Sequence, residues 1–199
     1  MTDHPQLYVT LPDRDIFLRL GGNLTRTQVS AAEEIKYRTS VVRAFELCRP
    51  RGRWEVFKVK AVTGDGILLD DGFFVRSGDF AARCAGITHL WCGAVTVGVL
   101  VSNLRDRTEN TVESAICDAV GSESADEAMN VMFDFARQQL LRRGMGLDKR
   151  RYSPGYGDME LELQEFFFDR LQLAELDMSL NERFFMIPEK SVTAFAGIR

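Results

Sequence analysis

The sequence predicts an α+β fold in which an antiparallel or mixed β-sheet is flanked by helices. Two observations predict it. Helical periodicity fills the first part of the chain up to Pro50, and residues 54–97 then carry β-rich runs broken by Gly/Asp turns. A long helical text returns from about Val99 to Arg143, ahead of a mixed tail. The 199 residues suit one domain, 1–199, with a helical part at 1–50 and a sheet-and-helix core at 51–199. A chain of this length buries roughly 70% of the surface its unfolded form exposes, so it folds without a metal or disulfide staple.

The elements follow in order. Asp13 to Leu20 reads as a short helix that Asp13 can cap and Gly21-Gly22 stops. A second helix is expected from near Thr27 to about Leu47, with Ile35, Val42 and Phe45 close to one face and Pro50 ending the run. The charges Glu33, Glu34, Lys36, Arg38 and Arg43 then form its solvated surface. Trp54 to Val62 has strand composition, Thr63-Gly64-Asp65-Gly66 is a turn signal, and Ile67 to Leu69 resumes the strand. Asp70-Asp71-Gly72 turns the chain again into Phe73-Phe74-Val75. Gly78 to Cys84 reads as one or two helical turns, and Ile87 to Val97 as a buried strand. In the long helical stretch, Val112, Ile116, Ala119 and Val120 mark one face. Met129, Met132, Phe133, Ala136, Leu140 and Leu141 mark another, the methionines as core filler. Gly121-Ser122 either bends this helix or admits another element closely.

Composition excludes several classes. The chain is 45% hydrophobic and 27% charged with a net charge of −4, and it lacks a long Lys/Arg run, so nucleic acid is not an expected partner. The longest apolar stretch, near Leu90 to Val101, is too short to span a bilayer. Cys48, Cys84, Cys92 and Cys117 form no Cys-x-x-Cys pair, and only His4 and His89 accompany them. They read as buried reduced thiols of a cytoplasmic protein, with no metal site. No pair of carboxylates is picked out by spacing for acid–base work, so no catalytic residue is assigned.

The informative segment is Arg151-Tyr152-Ser153-Pro154-Gly155-Tyr156-Gly157-Asp158. Pro154 fixes one backbone dihedral while Gly155 and Gly157 free theirs, which makes a shaped, backbone-lined loop. Arg151 can grip a carboxylate with two parallel hydrogen bonds, and Tyr156 offers an apolar face with a polar tip. Such a loop suits a small anionic or zwitterionic ligand; an ordinary structural turn carrying a surface arginine is the competing reading.

Arg-x-x-Pro-Gly-Tyr at 151–156 resembles the signature of the activation domain of cobalamin-dependent methionine synthase. A second block supports this in the right order. Glu160 to Leu173 reads as an amphipathic helix with Leu161, Leu163, Gln164, Phe167 and Leu171. It is followed by Leu180-Asn181-Glu182-Arg183-Phe184-Phe185-Met186-Ile187-Pro188 and Ser191-Val192-Thr193-Ala194. The family has a similar Leu-Thr-Glu-Ser-x-x-Met-x-Pro block and a Ser-Val-Ser or Ser-Val-Thr. Ala94-Val95-Thr96-Val97-Gly98 and the helix after it look like short free-standing members.

The resemblance implies a methionine synthase activation domain-like fold and a role in reactivating methionine synthase or a related corrinoid methyltransferase. The chain would bind S-adenosylmethionine and present its methyl group to cobalamin. Arg151 would hold the methionine carboxylate, and Tyr156 would line the pocket near the methyl group. Pro154, Gly155 and Gly157 would shape the loop, and Asp158 would anchor it or cap the helix that follows. Met186 and Pro188 would be packing residues, and Ser191 and Thr193 strand-edge residues, or else residues near the pocket. No Asp-x-His-x-x-Gly pattern supplies a cobalt ligand, so the corrinoid is expected on a partner, with a flavodoxin- or ferredoxin-type protein as electron donor. The family's domain continues past the Ser-Val-Ser block and carries an acidic ligand contact near its beginning. Neither has a counterpart here, which implies that part of the pocket is missing or rebuilt from other residues. The alternative role is a non-catalytic module with the same fold that binds a corrinoid protein or senses a ligand.

Overall fold

The structure, a computed structural model, describes residues 1–23 and 30–199. The chain runs through β1 (Thr2–His4), α1 (Asp13–Arg19), α2 (Ala31–Phe45), β2 (Arg51–Val62), β3 (Gly66–Leu69) and β4 (Phe74–Arg76). It continues through α3 (Gly78–Arg83), β5 (His89–Thr96), α4 (Leu100–Arg107) and α5 (Thr111–Leu141). The last quarter holds a 3₁₀ turn (Leu161–Leu163), α6 (Gln164–Arg170), a second 3₁₀ turn (Leu173–Leu176), β6 (Ser179–Leu180), β7 (Met186–Ile187) and β8 (Ser191–Ile198).

The main sheet is antiparallel, in the order β4-β3-β2-β5-β8. β2 is long enough to take two partners on one edge: β1 opposite Gly52–Trp54, and β3 beyond an irregularity between Val59 and Ala61. β6 and β7 form a separate hairpin.

The middle of the sheet is buried on both faces, which is why residues 87–97 read as a continuous apolar run. Leu90, Cys92, Ala94 and Phe195 face a core built with Phe80, Phe166 and Phe167. Trp91, Val95, Ala194, Ala196 and Ile198 face the C-terminal half of α5, through Met129, Met132, Phe133, Ala136 and Leu140. A third core joins α1, α2 and α4 to the N-terminal half of α5, through Ile16, Val41, Ala44, Val101, Ile116 and Val120. The 31-residue α5 thus serves two cores along about 46 Å of length.

Several expectations are corrected. Asp13 lies in the first turn of α1 rather than capping it, because Pro12 occupies the cap position; Asp13 pairs instead with Arg38. The described part of α2 opens with a Ser30–Glu33 capping box, and Thr27 lies outside the described residues. Ile35 and Val42 are 66% and 46% exposed, so they do not mark the buried face. Packing selects Tyr37, Val41 and Ala44 at helical spacing, with Cys48 just past the helix end.

The long helical stretch is two helices. Thr108 turns extended, and the Asn110 side chain accepts from the N–H groups of Val112 and Glu113 to start α5 afresh. Val112 and Leu141 are exposed at its two ends. Gly121 admits a close approach: a Cβ there would stand 2.9 Å from Cγ of Lys190 and 3.1 Å from Cγ1 of Val101. The helix expected from Glu160 to Leu173 is shorter, ending at Arg170 before Gln172 takes a left-handed conformation.

Candidate functional site

The loop at 151–158 is built by the chain on either side of it. Leu147 pairs with Ile198 and Tyr152 with Phe195, so the approach to the loop lies against the free edge of β8. Tyr152 also packs its ring against Phe80 in a tilted pair, with centroids 4.7 Å apart. Pro154 is buried, and Gly155 (φ +88°) and Gly157 (φ +62°) take the positive φ that only glycine adopts without strain. The Gly155 N–H donates to the Met159 carbonyl across 2.8 Å and closes the loop on itself.

Asp158 anchors this loop, but not by capping the helix that follows. Its carboxylate accepts from the hydroxyl of Ser77 and from the N–H of Asp79, which ties the loop to the start of α3. Those bonds, with that from Ser77 first, hold its pKa below the ordinary value.

Arg151 and Tyr156 part company. The Arg151 guanidinium turns to α5, donates to Oδ1 of Asn130 at 2.7 Å and lies 5.2 Å from the centre of the Phe133 ring. Burial lowers its pKa, while the charges of Asp126 and Asp134 work in the other direction. Asp126 is itself raised, by burial first and by Glu123 next, with Arg19 and Arg151 opposing. Tyr156 stands 77% exposed on the turn. The arrangement around Arg151 is an open, two-signed surface: Asp126 and Asp134 lie near it, paired with Arg19 and Arg137, and the Tyr156 ring is exposed separately on the turn. Asn130, Asp126 and Asp134 were missed in the sequence because they sit about 20 residues away on a helix. Their spacing of four signals one helical face but not which neighbour it meets.

Two concavities lie elsewhere. One of about 1040 Å³ is bounded by α1, α2 and the start of α5, with Phe17, Tyr37 and Ile116 among its lining. The other, of about 230 Å³, is bounded by Arg83, Asp148, Lys149, Arg150, Tyr152 and Arg199. Neither Arg151 nor Tyr156 lines either one.

The other polar centres are structural. Lys190, 7% exposed, reaches Asp118, Ser122 and Glu189 and fastens the turn before β8 onto α5. Arg53, 6% exposed, bonds Asp3, Glu175 and the carbonyls of Leu171 and Gln172. Ser191 and Thr193 lie on β8, the last strand of the sheet, and are buried there: Ser191 bonds Thr96 and the Pro188 carbonyl, and Thr193 bonds Gln164. Met186 packs against the core and Pro188 is buried, as their packing roles require.

All four cysteines are free and buried. Desolvation pushes Cys48 up to about 11 and Cys84 up to about 12, so they are poor nucleophiles at neutral pH. Among the described residues no cluster of His, Cys, Asp and Glu could hold a metal ion. No helix of the described residues is long and apolar enough to cross a membrane.

No family model matches the sequence, and no curated protein does. The fold does have a solved counterpart. The crystal structure of the MetH reactivation domain bound to AdoHcy superposes on 98% of this chain and 79% of its own, with a TM-score of 0.66 at 18% sequence identity. The mixed helical and antiparallel architecture described above is thus that of the MetH reactivation domain.

Proposed function

We propose that this chain binds S-adenosylmethionine and presents its methyl group to cobalamin carried by a partner corrinoid protein, a methionine synthase or a related methyltransferase. The observation that carries this reading is the fold match, over nearly the whole chain, to a domain solved with AdoHcy, which is what S-adenosylmethionine becomes when its methyl group leaves. The ligand is a zwitterion with a sulfonium, and the surface around Arg151 has the matching signs.

In this reading Arg151 takes the carboxylate, held in place by Asn130 and the face of Phe133. Asp126 and Asp134, which pair with Arg19 and Arg137, favour the ammonium and sulfonium charges. Tyr156 offers its exposed ring to the sulfonium or to the arriving corrinoid. Pro154, Gly155 and Gly157 hold the loop's backbone in shape, and Asp158 keeps it on α3. When bound to its partner, the corrinoid supplies a reduced cobalt nucleophile, and a flavodoxin- or ferredoxin-type donor supplies the electron. The contribution of this chain is position and exclusion of water, not proton transfer.

A second reading is favoured by the openness of the site, with Tyr156 in solvent and Arg151 lining neither of the two concavities. In it the chain is a non-catalytic module that keeps the fold and binds a corrinoid protein. Titration calorimetry with S-adenosylmethionine separates the two. Saturable binding that is lost in Arg151→Ala supports methyl presentation. Absence of heat at millimolar ligand, with and without a cobalamin-loaded methionine synthase, leaves the module reading.

A further inference from the structure

We propose that Arg83, Lys149 and Arg150 form a binding site for a phosphate-type oxyanion, in a hollow that neither Arg151 nor Tyr156 lines. Three segments distant in sequence converge on the 230 Å³ concavity: the last turn of α3, residues 148–152 and Arg199. In a chain of net charge −4, this small hollow gathers four cations and one carboxylate. That carboxylate, Asp148, is already taken by Arg199. Among the described residues, Arg83, Lys149 and Arg150 make no ion pair and no side-chain hydrogen bond, so their charge is unanswered among them.

The backbone adds to this. Asp148 and Tyr152 donate to β8, whereas the N–H groups of Lys149 and Arg150 between them are left out of the ladder. The site is also pre-formed on one side. Tyr152, which lines the hollow, is fixed by its backbone pairing with Phe195 and its tilted ring contact with Phe80. Two guanidinium forks and an ammonium around a small hollow suit a tetrahedral dianion, which offers several acceptor oxygens at once. The size fits a phosphate group, free or as a monoester, rather than an extended polyanion, and the net negative charge of the chain disfavours a nucleic acid backbone.

The test is calorimetry and thermal unfolding with inorganic phosphate, against sodium chloride at matched ionic strength. Phosphate is expected to bind saturably with a Kd of about 1 mM, and to raise Tm at about 20 mM while chloride does not. The double variant Arg83→Ala/Lys149→Ala is expected to weaken binding at least tenfold with an unchanged circular dichroism spectrum. Arg142→Ala, a basic position outside the hollow, and Arg151→Ala are expected to bind phosphate as the wild type does. Glycerol 3-phosphate binding more tightly than inorganic phosphate identifies a monoester as the ligand; equal binding identifies the free ion. Lack of saturable binding in the wild type, or equal weakening in Arg142→Ala, overturns the proposal. Because Arg151→Ala is scored separately, failure here leaves the S-adenosylmethionine reading standing, and the reverse.

Discussion

Arg151 donates to Asn130 across 2.7 Å, although 21 residues separate them. This bond turns the cation of the glycine-rich loop onto the flank of α5. It defines the candidate ligand surface, because it brings Arg151 under the charges of Asp126 and Asp134. The pair yields the first prediction. Arg151→Ala removes a charge-assisted contact of about 1.5–3 kcal/mol, so S-adenosylmethionine affinity falls roughly tenfold to 100-fold. Asn130→Ala leaves the charge but frees its orientation, and costs about 1 kcal/mol. Calorimetric Kd values for both variants check this, and an Asn130→Ala loss equal to that of Arg151→Ala would refute a supporting role for Asn130.

Tyr156 separates ligand binding from folding. At 77% exposure its ring contributes little packing, so Tyr156→Ala is expected to change stability by less than about 0.5 kcal/mol. If the ring meets the sulfonium, the same variant weakens the ligand by about 0.5–2 kcal/mol. Urea unfolding and ligand titration on one preparation measure both; a large stability loss with unchanged affinity contradicts the assignment.

At Gly121 two effects compete. Alanine gains about 1 kcal/mol of helix propensity. The new methyl would stand 2.9 Å from Lys190 Cγ and 3.1 Å from Val101 Cγ1, and overpacking of that kind costs about 1–3 kcal/mol. Lys190 cannot swing aside cheaply, since its ammonium is bonded to Asp118 and Ser122. Net destabilisation is expected, read as a lower urea midpoint. A stabilised Gly121→Ala would show that the Lys190 stem yields.

His4 gives a pH dependence. Trp54 donates its indole N–H to Nε2 of His4 at 3.1 Å, which requires the neutral ring on that nitrogen. Burial lowers the His4 pKa, with Asp3 opposing. The unfolded chain therefore takes up this proton at higher pH than the native state. Stability is full above about 6.5 and falls as pH drops through the lowered native value. His4→Gln is expected to flatten the decline in unfolding free energy between pH 7 and pH 5; an unchanged slope would remove His4 from the account.

Much of this fold was legible because its punctuation is local. Gly21 and Gly72 sit at positive φ where the sequence places a stop and a turn, and the apolar run through Leu90 to Val97 is a strand buried on both faces. Faces and boundaries were harder. On α2 Ile35 and Val42 point outward, since packing against α4 and α5 chose the face carrying Val41 and Ala44. The break before α5 rests on one asparagine side chain, and Glu113 follows as an ordinary first-turn acid. At the candidate site the loop residues could be named from their own spacing. The α5 residues that meet Arg151 could not, because only tertiary contact brings position 130 to position 151.

The single rod of α5 has a mechanical consequence. Its first half is clamped among helices and its second half lies on the sheet, without a cap or turn between them. Melting either half would fray the rod under the other. Heating should therefore release both halves of the molecule in one calorimetric peak rather than two. A small molecule seated beside Asn130, near the centre of that rod, would shift the whole peak, including the part formed by helices it never touches.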